Sequence, residues 1–228
     1  MTNIDRLSAL DQAALTVRTW DSTVIPGNLQ IMRYSERIIK AAHPRMASIE
    51  LRRRVLLKDR RSKEFLRRCL TDEFEAAYFV IGERAITSGL SDGADAHVVQ
   101  LMHILELSKH DKISIQVLPD IEVVPHLASS FMMYGFGGKD RVGYVETIMG
   151  SYYSSRLEAM AGLHSAFSDI VSVSMSQSHT RDFIKEALTS WQTARKQSLE
   201  HTRGSRSRSP HTPLRETTAW GWRDRPEL

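Results

Sequence analysis

Apolar side chains recur every three to four residues along much of the chain, which is the spacing of amphipathic helices. The first such stretch joins Leu7, Leu10, Ala14 and Val17, and the helix that it predicts ends before Pro26. The same criterion predicts five further helices. They lie at residues 29–39, 49–57, 98–105, 157–171 and 183–191.

Shorter apolar stretches are continuous or alternate with polar residues, which is typical of strands. They lie at residues 77–81, 113–117, 131–136 and 142–147. Between the last two, residues 137–140 (GGKD) have the composition of a hairpin turn. The predicted fold class is therefore α+β, a single domain of helices around a small, mainly antiparallel sheet.

The hydrophobic periodicity ends near Gln197. The segment that follows is rich in Ser, Arg, Thr and Pro, and residues 201–213 contain no apolar side chain. Such a segment cannot bury enough apolar surface to offset the entropy of ordering it. We therefore predict a folded domain over residues 1–196 and a disordered basic tail over residues 197–228. Trp220 and Trp222 in this tail belong either to a short docking peptide or to a terminal segment without function.

The composition is that of an ordinary globular protein, with 41% hydrophobic and 25% charged residues in a chain of 228. The longest apolar run, residues 76–81, is far shorter than the roughly 20 residues that cross a bilayer. Asp5 and Arg6 interrupt the N-terminus before any signal-peptide core, and the lone Cys69 cannot form an intrachain disulfide. These features predict a cytoplasmic protein with no membrane partner.

A basic run lies on the third predicted helix and contains Arg52, Arg53, Arg54 and Lys58. It could contact nucleic acid or an acidic partner through its positive charge. However, three successive residues of a helix spread over about 200° and do not share one surface. A solvated helix face whose charges pair with nearby carboxylates is therefore the alternative.

Glu83 and Glu146 both lie at the ends of predicted strands, where two carboxylates could line a pocket as an acid–base pair. The ends of strands are also commonly acidic simply because they are exposed. The sequence contains no cysteine–histidine cluster and no dinucleotide or phosphate-binding motif. We therefore expect no metal and no cofactor.

Several short motifs match one family in their order and spacing. They are residues 25–31 (IPGNLQI) with Tyr34, residues 79–83 (FVIGE) with Ile86, Gln100-Leu101 with Leu105, residues 115–119 (IQVLP), His126 with Phe131, and residues 143–147 (GYVET). Together they resemble the effector domain that follows an XRE-type helix-turn-helix in actinobacterial regulators, sometimes described as antitoxin-like. The resemblance covers about residues 5–195.

This resemblance implies a non-enzymatic regulatory module that senses a small ligand or docks a small partner protein. Such a module would modulate transcription through a DNA-binding regulator in trans. The polar positions that match the family are the candidate binding residues. They are Gln30, Tyr34, Glu83, His126, Tyr144 and Glu146. Family members usually carry a helix-turn-helix before this domain, but residues 1–20 cannot supply its two crossing helices. Direct operator binding by this chain is therefore not expected.

Two other functions stay open at this point. One is a cofactor-free enzyme, such as a cyclase or isomerase of a biosynthetic pathway, in which Glu83 or Glu146 transfers a proton. The other is weak, non-specific nucleic-acid binding through residues 52–68 and the basic tail. A homodimer is an alternative to a monomer in each case.

Overall fold

A six-stranded mixed sheet with helices on both faces forms the body of the protein. The structure is a computed structural model and describes residues 3–89, 94–122, 129–138, 140–147 and 149–206, with side chains up to Thr193. The strands are β1 (Thr16–Asp21), β2 (Ala76–Gly82), β3 (Ile113–Leu118), β4 (Phe131–Gly135), β5 (Arg141–Thr147) and β6 (Gly150–Ser154). The helices are α1 (Asn3–Ala13), α2 (Met32–Ala42), α3 (Ser48–Cys69), α4 (Glu83–Thr87), α5 (Ala94–Leu107), α6 (Leu157–Val173) and α7 (Gln177–Arg206). A 3-10 turn over Gly27–Leu29 precedes α2.

The strand order is β3-β2-β1-β4-β5-β6, so that β1 is central. β1 and β2 pair in parallel, as do β2 and β3. β4 pairs antiparallel with β1, β5 with β4, and β6 with β5. Three of the five pairings are antiparallel, and the α+β class predicted from the sequence is confirmed. The parallel half of the sheet arises because helices connect β1 to β2 and β2 to β3.

Each face of the sheet has its own apolar core, because successive strand residues point to opposite faces. One core includes Phe65 of α3, Phe79 of β2 and Tyr134 of β4. The other includes Trp20 of β1 and Phe167 of α6. The sheet therefore lies between α6 on one face and α3 with its neighbouring helices on the other.

The N-terminal region differs from the prediction. The first helix ends at Ala13, and Val17 lies in the central strand β1 rather than in that helix. Thr16, Val17 and Thr19 are β-branched, and they pair with β2 on one side and β4 on the other. Hydrogen bonds to two neighbouring strands outweigh the weak helical spacing of the apolar residues.

The hairpin between β4 and β5 is confirmed. Gly137 and Gly138 have φ values of +99° and +56°, which residues with a Cβ rarely adopt. The backbone N–H of Phe136 donates to Asp140 and closes the turn. The following strand, β6, was not predicted from the sequence, because residues 150–154 (GSYYS) contain too few apolar side chains to show alternation.

The C-terminal part of the chain forms a second unit beginning at Lys196. Within it, α7 continues to Arg206, beyond the point at which the sequence predicts disorder. The rest of the predicted tail, residues 207–228 with both tryptophans, lies outside the described residues. Among the described helices, none is long and apolar enough to cross a membrane.

The carboxyl ends of β1 and β2 meet closely. A Cβ atom on Gly82 would collide with the backbone carbonyl oxygen of Ser22, which follows β1. Glycine at this position therefore lets the chain leave β1 directly beside the end of β2. This close approach brings the residues after both strands to the same edge of the sheet.

Candidate ligand site at the end of the central strands

Three polar side chains lie in one row across this edge of the sheet. Trp20 pairs with Phe131, and Phe131 pairs with Val145, so the next positions outward are Asp21, Ser130 and Glu146. Residues that face each other across antiparallel strands point to the same side of a sheet. The Asp21 carboxylate accepts a hydrogen bond from the Ser130 hydroxyl. Two carboxylates and a hydroxyl thus converge on the face that α3 covers.

α3 supplies cationic side chains opposite this row. Arg54, Lys58 and Arg61 are separated by four and then three residues, so they share one face of the helix. Arg61 is buried, and Lys58 is half-buried. The α3 face therefore places positive charge over the carboxylates of the sheet.

A cavity of about 590 Å³ lies between the two sets of charges. Its polar wall includes the Asp21–Ser130–Glu146 row, Tyr144 and the α3 cations, and its apolar wall comes from other elements. The main apolar side chains are Leu7, Ile25, Ile38, Ile39, Leu57 and Met132. Cavities of this size with a mostly apolar wall and a few converging polar groups are typical of small-molecule sites.

A buried ion pair supports one end of the cavity. Arg61 Nε donates to Asp11 Oδ2 at 2.6 Å, and Asn28 Nδ2 donates to Asp11 Oδ1 at 3.1 Å. Burial works against the charge on Arg61, but the Asp11 carboxylate outweighs it and keeps the pKa of Arg61 above its ordinary value. The Ser62 hydroxyl donates to the Asn28 carbonyl oxygen at 2.8 Å. This network fixes α1, the 3-10 turn and α3 relative to one another.

The environment shifts the pKa values of the two central ionisable groups towards neutrality. Burial raises the pKa of Asp21 from 3.8 to about 7, against the opposing effects of the Ser130 hydrogen bond and the Lys58 charge. Burial and then the Arg61 charge lower the pKa of Lys58 from 10.5 to about 8. Both groups can therefore gain or lose a proton near neutral pH, which is a common property of functional sites.

We expect Asp21→Asn to stabilise the protein at pH 8 and to leave its stability nearly unchanged at pH 4.5. The raised pKa of Asp21 means that the folded state holds a proton that the unfolded state releases between about pH 4 and 7. The wild-type protein therefore loses stability as pH rises through this window. The Asp21→Asn variant carries an uncharged amide at this position and does not lose this contribution. Because the cavity admits solvent, we expect a difference of about 1–2 kcal/mol at pH 8, below the full equivalent of the pKa shift. Urea unfolding at both pH values measures it.

The matched control for this prediction is Asp72→Asn, which makes the same change at an exposed position. It should alter stability equally little at pH 4.5 and pH 8. A stabilising effect of Asp21→Asn that is larger at pH 4.5 than at pH 8 would contradict the assigned burial of this carboxyl group.

Tyr144 forms part of the cavity wall and is linked to Tyr153 through Asn3. Asn3 Nδ2 donates to the Tyr144 hydroxyl at 3.1 Å, and the Tyr153 hydroxyl donates to Asn3. The Tyr144 and Tyr153 rings lie 5.0 Å apart, and the Arg6 guanidinium lies 4.6 Å from the Tyr153 ring centroid. Burial raises the pKa of Tyr144, so its hydroxyl stays protonated and available to donate. The N-terminus of α1 is thereby held against β5 and β6.

Of the six predicted binding residues, Tyr144 and Glu146 lie together in the cavity wall. Gln30 also reaches the wall, but its side chain is buried and both of its polar atoms are hydrogen-bonded. Gln30 Nε2 donates to the Ile25 carbonyl oxygen at 2.5 Å, and Gln30 Oε1 accepts from Ser35 at 3.0 Å. The Tyr34 hydroxyl accepts from the Ile25 backbone N–H at 3.3 Å. Gln30 and Tyr34 therefore shape the loop that carries Ile25.

Glu83 does not join Glu146. It lies at the start of α4, where its carboxylate accepts a hydrogen bond from the Asp120 backbone N–H at 3.0 Å. Glu83 follows β2 and Glu146 lies in β5; β1 and β4 lie between these two strands, which are therefore about 14 Å apart at the usual strand spacing. The predicted acid–base pair of Glu83 and Glu146 is therefore not formed. His126 lies outside the described residues.

The basic run is divided by the helix geometry. Arg52 points to solvent, whereas Arg53 and Arg54 reach the rim of the cavity, where both pair with Glu50 at 3.6 and 2.8 Å. Lys58 lies deeper in the cavity wall. The four cations therefore do not form one continuous surface, as the helical spacing of consecutive residues indicates.

Sequence reasoning missed Asp21, Ser130, Arg61 and Asp11. Asp21 was missed because the strand that ends at it was predicted as part of a helix. With β1 assigned, an aspartate at the carboxyl end of a central strand is a recognisable signal. In the sequence, Arg61 is one of many basic residues of α3, and nothing local pairs it with Asp11, which lies 50 residues earlier.

A second cavity of about 420 Å³ lies on the opposite face of the sheet, between α6 and the β5–β6 hairpin. Its wall includes Phe131, Val145, Tyr152, Leu163 and Ala166, and no acidic or basic side chain of the described residues contributes to it. It lacks the converging charges of the first cavity. Within the described residues, no group of three or more His, Cys, Asp or Glu side chains is arranged to hold a metal ion.

Comparison with known proteins gives a family but no described activity. No curated protein sequence matches the chain. A family described as a domain of unknown function, DUF5753, matches residues 4–186, which include β1 to β6, the cavity and most of its supporting network. The chain therefore belongs to the DUF5753 family.

Proposed function

We propose that this protein is a regulatory module whose cavity at the end of β1 binds a small ligand, and that ligand binding changes its contact with a DNA-binding partner and so modulates transcription. The cavity itself carries the proposal. Its volume of about 590 Å³ lies in the usual range for small-molecule sites, and it joins an apolar wall to charges from α3 and the sheet.

The concave shape favours a small ligand over the docking of a small partner protein. Protein partners usually bury about 800 Å² per side and contact a broad surface rather than a cavity. The regulatory part of the proposal is supported by the sequence motifs that resemble the effector domains of XRE-type regulators. The DNA-binding partner in trans is likewise supported only by this resemblance.

The test is the binding of 8-anilinonaphthalene-1-sulfonate, a probe that combines an apolar ring system with one negative charge. Ala42 lines the cavity at the end of α2, and a tryptophan there would occupy its mouth. We expect Ala42→Trp to weaken probe binding about tenfold, equivalent to about 1.4 kcal/mol. A fluorescence titration measures the change.

The neighbouring variant Ala41→Trp is the matched control. Ala41 is exposed at the same helix end and does not line the cavity. The Ala41→Trp variant should therefore bind the probe with the affinity of the wild type. Equal affinities in both variants would reject the cavity as the ligand site. A second experiment measures transcription in the cells that carry the protein. Loss of a transcriptional response in Ala42→Trp but not in Ala41→Trp would support the regulatory role. Equal responses in the two variants would contradict it.

A cofactor-free enzyme is the second candidate function, and one observation favours it. Asp21 and Lys58, with pKa values of about 7 and about 8, act on each other electrostatically across the same cavity. Groups that titrate near neutrality are suited to general acid–base catalysis. Asp21 thereby takes the role for which the sequence suggested Glu83 or Glu146.

A further inference from the structure

Lys58 differs from three other cations of α3 in the charges that contact it. Arg54, Arg61 and Arg68 each have a carboxylate oxygen within 2.8 Å. Among the described residues, no hydrogen bond or ion pair within 4.0 Å involves Lys58, although its side chain is half-buried in the cavity wall. An ammonium group without a contacting partner is poorly stabilised at such a site.

The surroundings of Lys58 shift its protonation equilibrium towards the neutral amine, which becomes a substantial fraction near pH 8. Burial disfavours the ammonium form, and the nearby Arg61 charge also repels it. Asp21 and Glu146 attract that form but do not contact it within ion-pair distance. A neutral lysine amine in a partly apolar cavity is a nucleophile towards carbonyl carbon.

We propose that Lys58 captures a small aldehyde or ketone with an apolar body as an imine, with Asp21 as the proton donor. This inference rests on the proposed ligand site and specifies the chemical class of its ligand. The apolar wall formed by Ile25, Ile38 and Leu57 would hold the body of the carbonyl compound. The row of polar groups on the sheet would face its oxygen.

The reaction balances without any further reagent. The lone pair of Lys58 Nζ forms a bond to the carbonyl carbon while the C=O π electrons move to the oxygen. The nitrogen then loses its first amine proton to that oxygen, which gives a neutral carbinolamine. Asp21 donates a proton to the carbinolamine hydroxyl, which leaves as water while the nitrogen electrons form the C=N bond. The nitrogen then releases its second amine proton, which restores Asp21. One amine and one carbonyl group thus give one imine and one water.

Asp21 is suited to this step by its position. It is half-buried at the end of β1, its carboxyl group is held by Ser130, and it interacts with Lys58 across the cavity. Burial keeps a substantial fraction of this carboxyl group protonated near neutral pH, because its pKa is about 7. An acid that is protonated at the working pH can assist the loss of water.

The experiment is reductive trapping with benzaldehyde and sodium cyanoborohydride on the full chain. An imine that forms is converted to a stable benzyl amine, and peptide mapping by mass spectrometry locates it. We expect Lys58 to be labelled at least about tenfold faster than exposed lysines such as Lys63 and Lys109. Labelling of Lys58 at the same rate as these exposed lysines would overturn the proposal.

Two variants test the roles of the residues. Lys58→Arg should abolish the fast labelling and leave the labelling of Lys63 unchanged, whereas fast labelling that persists at another lysine would overturn the assignment. Asp21→Asn should slow the labelling of Lys58 about tenfold or more, as expected when a general acid is removed. An unchanged rate would exclude Asp21 as the proton donor.

The outcomes also separate this inference from the proposed ligand site. If Ala42→Trp weakens the binding of 8-anilinonaphthalene-1-sulfonate but Lys58 is labelled no faster than Lys63, the cavity binds ligands and the imine proposal fails. If Lys58 is labelled fast and Ala42→Trp leaves probe binding unchanged, the proposal for reversible ligand binding fails and the reactive lysine stands.

Discussion

Replacing Arg61 with methionine is expected to lower the free energy of unfolding by about 3–5 kcal/mol. The Arg61 and Asp11 side chains are 8% and 2% exposed, and Arg61 Nε lies 2.6 Å from Asp11 Oδ2. Methionine would fill much of the space but leave the Asp11 carboxylate buried without its cation. An uncompensated buried charge is among the most destabilising changes that a single substitution can make. Urea unfolding measures the loss.

The matched control is Arg60→Met, which makes the same change one position earlier on α3. Arg60 is 76% exposed and pairs with Glu64, so we expect a loss of at most about 0.5 kcal/mol. The double variant Asp11→Leu with Arg61→Met should be more stable than Arg61→Met alone, because both charges are then removed together. A double variant that is less stable than Arg61→Met alone would show that the ion pair is not the source of the effect.

Phe65→Ala is expected to destabilise the protein by about 3–5 kcal/mol. The Phe65 ring is fully buried and packs edge-on against two other rings, Phe74 at 6.0 Å and Phe79 at 6.1 Å between centroids. Its removal loses the buried apolar surface, leaves a cavity and ends both aromatic contacts. Thermal or urea unfolding monitored by circular dichroism measures the change.

Leu56→Ala is the control for this prediction, because Leu56 lies on the same helix and is 53% exposed. We expect a change of about 0.5 kcal/mol or less for this surface position. Equal losses in the two variants would contradict the placement of α3 on the sheet. Since α3 also carries Lys58, we further expect Phe65→Ala to reduce the selective labelling of Lys58.

Several elements could be predicted from the sequence because the signal that defines them is local. α5 and α6 show the 3.6-residue repeat of apolar side chains, and the hairpin between β4 and β5 is marked by paired glycines. β1 could not be assigned in this way. Its residues satisfy a helical spacing as well as a strand alternation, and only the pairing with β2 and β4 decides between them.

The candidate site was predicted only in part for the same reason. Tyr144 and Glu146 were identified from motifs within one strand, but their partner Asp21 lies on another strand more than a hundred positions away. Glu83 and Glu146 were both predicted at strand ends, yet two intervening strands keep β2 and β5 apart. Strand order, which depends on non-local hydrogen bonds, decided which carboxylates meet.

By itself, the sequence determined the α+β class, most of the helices and the glycine turn, because the spacing of apolar residues and the freedom of glycine act over a few residues. The tertiary structure alone decided which charges face one another and which of them are buried. Burial changes the free energy of a charged group by more than any local sequence effect, as the shifts of Asp21 and Lys58 show. The chemistry of the cavity therefore arises from the packing of α3 on the end of the central strands.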